Sequence, residues 1–146
     1  VIPVLNPAYD VKAVAAAAGP LQGWVARGCD AAAKDGIVTV KGTTPTPFLG
    51  VSVAGNGPAV VSLRVKAASP GEGRIEWLLP KAPPAEVKSV PFALAGGAWQ
   101  DITVSVPAAG PFGILRVYLP AANQPVDVDW VEFGSGKQAA PRRWNF

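Results

Sequence analysis

Apolar and polar residues alternate with a period of two along most of this chain. Val61, Leu63 and Val65 alternate with Ser62, Arg64 and Lys66. Ile102, Val104 and Val106 alternate with Asp101, Thr103 and Ser105, and Leu115, Val117 and Leu119 with Arg116 and Tyr118. Successive side chains of an extended strand point to opposite faces, so each segment carries one apolar and one polar face. The same reading places strands at Ile37–Lys41, Phe48–Ala54, Gly73–Leu79, Ser89–Leu94 and Val126–Phe133. Turn-forming pairs stand between them: Asp35-Gly36, Asn56-Gly57, Pro70-Gly71, Gly96-Gly97 and Gly110-Pro111. About eight short strands at this spacing predict an all-β fold, a two-sheet antiparallel β-sandwich of the jelly-roll type. No long helical pattern interrupts them, which disfavours a parallel α/β sheet.

The two ends read differently. In Val1–Pro20, Pro3, Asn6 and Pro7 predict an extended approach. Asp10 is placed to cap a short helix over Val11–Ala18, which Gly19-Pro20 would stop. Residues 1–20 are therefore expected to be a linker or arm, 21–134 the sandwich, and 135–146 a C-terminal tail. The tail closes on Trp144 and Phe146, residues too apolar to stay in water, so docking onto the sandwich or a neighbouring domain is expected.

Composition narrows the function classes. Of 146 residues, 49% are hydrophobic and 16% charged, enough for one domain with a real core. The 16 Gly and 16 Pro are dispersed, as punctuation between short strands. No apolar run is long enough to span a bilayer, so no membrane partner is expected. The chain begins with Val1 and contains no Met, and reads as a fragment or processed product. A net charge of +3 with scattered Lys and Arg lacks the basic stripe of a nucleic-acid binder; only Arg142-Arg143 is an adjacent pair. The single cysteine, Cys29, excludes an internal disulfide and reads as a small buried apolar residue. There is no His, so the usual general base and the Ser-His and Cys-His arrangements are missing. No enzymatic activity is expected of this chain.

Several segments, in order, carry a resemblance. Asn6-Pro7-Ala8-Tyr9-Asp10 is similar to the stretch that closes the catalytic domain of planctomycete-type bacterial sulfatases. Pro47-Phe48-Leu49-Gly50, Gly73-Arg74-Ile75-Glu76-Trp77, Leu115-Arg116-Val117-Tyr118-Leu119-Pro120 and Val128-Asp129-Trp130-Val131-Glu132 resemble the module appended to those arylsulfatase-like enzymes. So do Asp35-Gly36, Leu63-Arg64-Val65-Lys66, Trp99-Gln100 and the closing Arg142-Arg143-Trp144-Asn145-Phe146. The resemblance implies a galactose-binding-like jelly roll behind a sulfatase domain, with residues 1–20 as the arm between them and an extracellular or periplasmic location. It does not imply catalysis. The family's formylglycine lies in a Cys/Ser-x-Pro-x-Arg context, whereas Cys29 is followed by Asp30, Ala31, Ala32 and Ala33.

The chemistry on the polar parities then ranks the residues. Arg64, Lys66, Arg116 and Tyr118 lie on the outward positions of strands whose other face is apolar. If those strands share a sheet, the four cluster on one surface, where Arg forks match sulfate or carboxylate oxygens and Tyr118 stacks on a sugar. The bland alternative is a solvated face with Arg64 or Arg116 paired to Glu76. Among the five tryptophans, Trp77 and Trp130 share the parity of core residues and are expected inside; Trp99, opening a strand, joins the candidate ligand set. Asp127 and Asp129, with Glu132 nearby, are the candidate ligands of a structural calcium, though no dense Asp/Asn loop accompanies them. No other cofactor is expected. The expected function is a non-catalytic carbohydrate-binding-like accessory domain of a sulfatase-type enzyme, contacting sulfated or uronic glycans. The alternative is a structural domain that packs on and stabilises the sulfatase domain without a ligand.

Overall fold

The computed structural model describes residues 20–56, 58–78, 88–107, 111–135 and 142–146. They form β1 (Val25–Arg27), β2 (Cys29–Lys34), β3 (Ile37–Gly42), β4 (Phe48–Asn56), β5 (Ala59–Ala67) and β6 (Gly71–Leu78). β7 (Lys88–Leu94), β8 (Gln100–Val106), β9 (Pro111–Tyr118), β10 (Val126–Ser135) and β11 (Arg142–Asn145) follow. One sheet has the order β1-β4-β9-β6-β7, the other β2-β3-β10-β5-β8, with β11 paired to β10. Every pairing is antiparallel. Successive strands pass repeatedly from one sheet to the other, which is the connectivity of a jelly roll.

Period-two alternation builds the core as the sequence predicts. Leu49, Val51, Ile75, Trp77, Leu115 and Val117 point inward from the first sheet, and Val38, Val40, Val61, Leu63, Val65, Val126 and Val128 from the second. Trp77 is buried, as its parity with Ile75 requires. Asp35 (φ 53°) and Gly36 (φ 81°) both adopt the left-handed conformation that a two-residue hairpin needs, joining β2 to β3. β1 and β2 are nearly one run, broken at Gly28 (φ 66°), where the chain leaves the first sheet for the second. The Gly28 carbonyl accepts from the amides of Thr43 (2.8 Å) and Thr44 (3.1 Å), which fixes that corner.

Two expectations are corrected or completed here. Trp130 is not in the core. The β10–β5 register shifts between Val128 and Trp130, so one extra residue reverses the parity of β10 beyond that point. Val131 and Phe133 then take the inward positions, and Trp130 turns outward, half-buried, beneath the Arg143 guanidinium at 4.1 Å. The closing residues dock on the sandwich: β11 pairs with β10, and Trp144 opposes Val131. Trp144 is buried against Trp24, ring centres 5.1 Å apart and edge to face. Gln22 Nε2 donates to the Asn145 carbonyl at 2.7 Å, tying the turn before β1 to β11. The expected helix over Val11–Ala18, and residues 1–19 of the expected arm, lie outside the described residues. Among the described residues no helix is long and apolar enough to cross a membrane.

Candidate functional site

The outer face of the β1-β4-β9-β6-β7 sheet is organised in rows that run across its strands. One row reads Arg27, Phe48, Tyr118, Arg74, Pro91 from β1 to β7. The next reads Val25, Gly50, Arg116, Glu76, Ser89. Directly opposed residues on one face are in contact range, so the register alone brings cations, rings and a carboxylate together.

The side chains interlock. Glu76 is buried although it faces outward, because its neighbours cover it. Its Oε1 accepts from Arg116 Nη1 at 3.0 Å and from the Tyr118 hydroxyl at 3.2 Å. Its Oε2 lies 3.8 Å from Arg74 Nε. The Arg74 guanidinium stacks 3.7 Å from the Tyr118 ring centre. Phe48 meets the same ring from the other flanking strand, 4.7 Å away, and Arg116 lies 5.0 Å from the Phe48 ring. Arg74, Tyr118, Phe48, Arg116 and Glu76 thus form a closed ring of contacts. Tyr118 has its own protein's side chains on both flanks, which corrects the expectation that its face is free to stack on a sugar.

Beside this ring lies a hollow of about 210 Å³, lined by Val25, Arg27, Phe48, Gly50, Ile114 and Arg116 among others. A second, smaller depression reaches from Arg74 and Tyr118 to Pro45, Pro47 and Pro120. Three guanidiniums (Arg27, Arg74, Arg116) share this face with two carboxylates, the buried, paired Glu76 and the exposed Glu72 near the start of β6. An excess of positive charge with partly exposed rings suits a ligand that is flat, hydroxylated and anionic.

The expected four-residue cluster does not form. β5 belongs to the second sheet and β9 to the first, so Arg64 and Lys66 lie on the opposite outer face from Arg116 and Tyr118. Alternation fixes which way a side chain points relative to the core but not which sheet its strand joins. Arg64 is committed to acids, with Asp101 at 2.8 Å and Asp129 at 3.6 Å, and lies 5.5 Å from the Trp99 ring. Lys66 is exposed. The alternative pairing of Arg116 with Glu76 is the one that forms.

The metal candidates are likewise engaged. Asp127 accepts from the Thr39 hydroxyl at 2.8 Å, and Asp129 faces Arg64. Among the described residues no group of three or more acids, Cys or His gathers as a metal cage. Burial pushes the Cys29 thiol up from its ordinary value, opposite to what a nucleophile requires, and its Sγ lies 3.7 Å from the Phe48 carbonyl. Phe48, Gly50, Arg74 and Arg27 were missed as site residues. Their signal was present in the alternation of Phe48, Gly50 and Ser52 with Leu49 and Val51, and lacked only the knowledge that β4 borders β9.

No family model matches the sequence, and no curated protein matches it. Among solved structures, a family 29 carbohydrate-binding module from Piromyces equi superposes with a TM-score of 0.60, over 81% of this chain and 85% of that one, at 15% identity. A family 29 module complexed with cellulohexaose superposes at 0.57, over 73% of this chain and 76% of that one, at 12% identity. The chain has the jelly-roll fold of carbohydrate-binding modules. It also superposes on part of an agarase, TM-score 0.59, covering 80% of this chain but 23% of the enzyme, at 8% identity. The sulfatase likeness drawn from short segments has no counterpart in the sequence comparisons.

Proposed function

We propose that this chain is a non-catalytic carbohydrate-binding module that holds an anionic glycan on the outer face of the β1-β4-β9-β6-β7 sheet. The observation that carries the reading is the charge of that face, three arginines against two carboxylates, Glu76 and Glu72, interleaved with Phe48 and Tyr118. Guanidiniums present planar N–H forks to sulfate or carboxylate oxygens, and their stems and planes supply apolar area for a sugar ring. The fold shared with carbohydrate-binding modules supports the same reading. The module serves as an accessory domain of a sulfatase-type enzyme acting outside the cytoplasm, and the purified chain is expected to turn over no aryl sulfate.

The test is titration of the purified chain with sulfated, uronic and neutral oligosaccharides at two ionic strengths. An open face leaves polar groups wet, so affinity is expected to be low. It is expected to fall further as salt shortens the screening length from about 10 Å at 0.1 M to about 3 Å at 1 M. Preference for neutral sugars, or affinity insensitive to salt, would refute the anionic assignment. Absence of binding to every glycan would favour a domain that docks on its enzyme.

A further inference from the structure

Gly50 occupies the middle of β4 with no structural need for glycine. Its φ lies outside the left-handed region, and a Cβ built there meets Phe48 Cε2 at 3.6 Å and Arg116 Cγ at 3.7 Å, ordinary contact distances. Glycine in a strand interior gives up packing and conformational entropy, and marks a bulge, a tight bend or close approach by a ligand or another backbone; the β4–β9 irregularity lies between Ser52 and Gly55, not at Gly50. What its missing side chain creates is the hollow, since its cross-strand neighbours are Val25 and Arg116.

The walls of that hollow carry two further anomalies. Val25 (46% exposed) and Ile114 (39%) are large apolar side chains left in water, and both line it. Arg27, at its mouth, makes no ion pair among the described residues, whereas Arg64, Arg74, Arg116 and Arg143 each face an acid. Apolar walls and an unpaired cation together fit a group that is apolar on one side and anionic on another. The volume, about 210 Å³, falls below the range of roughly 300–1,000 Å³ usual for drug-sized ligands, so it suits one small ring.

We infer that the hollow over Gly50 seats one anionic pyranose unit of a glycan chain, its C–H face on Val25 and Ile114 and its carboxylate or sulfate on Arg27 and Arg116. This assignment rests on the carbohydrate-binding reading above and names the subsite within it. The unit is recognised by its charge and by the fit of its ring, so a neutral sugar of the same size binds less tightly.

Gly50→Val fills the hollow from the strand that floors it. The substituted position is outward-facing and β-branched residues suit strands, so the variant is expected to melt no lower than the parent. The probes are an oligouronate, a sulfated galactan oligosaccharide and cellohexaose, each titrated against the parent, Gly50→Val and Arg27→Gln. The parent is expected to bind an anionic probe, with the stronger of the two identifying carboxylate or sulfate. Gly50→Val should weaken that binding about tenfold or more, and Arg27→Gln about tenfold, the effect of losing one charge-assisted hydrogen bond. Parent binding unchanged by Gly50→Val would overturn the subsite and leave the carbohydrate reading standing. Binding lost in Gly50→Val but unchanged in Arg27→Gln would overturn the anion assignment. A parent that binds no probe would overturn both.

Discussion

Glu76 is the residue on which the candidate face depends. One carboxylate, with a side chain 10% exposed, receives Arg116 and the Tyr118 hydroxyl and sits near Arg74. Removing one partner from a buried charged network costs more than the pair contributes, because the remaining charges lose their compensation. Here the cost is moderated, since the side chains of Arg116 (30%) and Arg74 (41%) are partly exposed and rehydrate. Glu76→Ala is therefore expected to lower stability by about 2 kcal/mol, read from urea unfolding. A change within about 0.5 kcal/mol, the range of ordinary surface substitutions, would show that water replaces the carboxylate fully. Trp77, two strand positions from Ile75 on the same strand, contrasts with it. Its burial follows directly from parity, and Trp77→Ala is expected to cost about 3–5 kcal/mol, as large-to-small core changes do. A loss below about 1 kcal/mol in the same experiment would place the indole outside the packed layer.

At the scale of elements, legibility tracked the contrast between apolar and polar positions. β3, β4, β5, β6, β8 and β10 stand where strong alternation predicts them. β2 was not legible because Cys29-Asp30-Ala31-Ala32-Ala33-Lys34 offers alanines on both parities; its pairing with β3 decides it. β1 and β11 are three and four residues long, too short to show a period. The bulge in β10 was invisible for a different reason: Val126, Asp127, Val128 and Asp129 continue the alternation right up to the residue that breaks it. Deleting Asp129 tests how much that extra residue matters. Without it Val128 stays opposite Val65, Trp130 opposite Arg64 and Val131 opposite Leu63, so plain alternation still keeps Trp130 outward and Val131 inward. The deletion is therefore expected to cost under about 1 kcal/mol by urea unfolding, much as Asp129→Ala does, which keeps the chain length and removes only a 3.6 Å surface ion pair. A loss of about 3 kcal/mol or more for the deletion alone would mean that the bulge itself, and not the alternation on either side of it, sets the path of β10.

At the scale of the whole molecule, the decisive property is which strands share a sheet. Arg64 and Arg116 have the same outward parity, and nothing in their segments separates them. The sheet assignment does: β5 lies between β10 and β8, β9 between β4 and β6, and the two layers pack back to back about 10 Å apart. Each arginine therefore works on its own surface. On the β5 side, Arg64 is satisfied by Asp101 and Asp129, Arg143 by Glu132, and Asp127 by Thr39, which is the signature of a face held together by its own charges. On the β9 side three arginines outnumber two acids, Glu72 and Glu76, and a hollow adjoins them. Arg116→Ala is accordingly expected to weaken binding of an anionic oligosaccharide about tenfold or more, and Arg64→Ala to leave it within about twofold. Because the sites are separated by the core and share no partner, the double variant should bind as Arg116→Ala does, with no coupling between the two changes. Titration of the four proteins at one ionic strength measures this. An Arg64→Ala protein that loses affinity as strongly as Arg116→Ala would place the ligand on the β5 face, and the arginine-rich rows across β4, β9 and β6 would then have to be explained without a glycan.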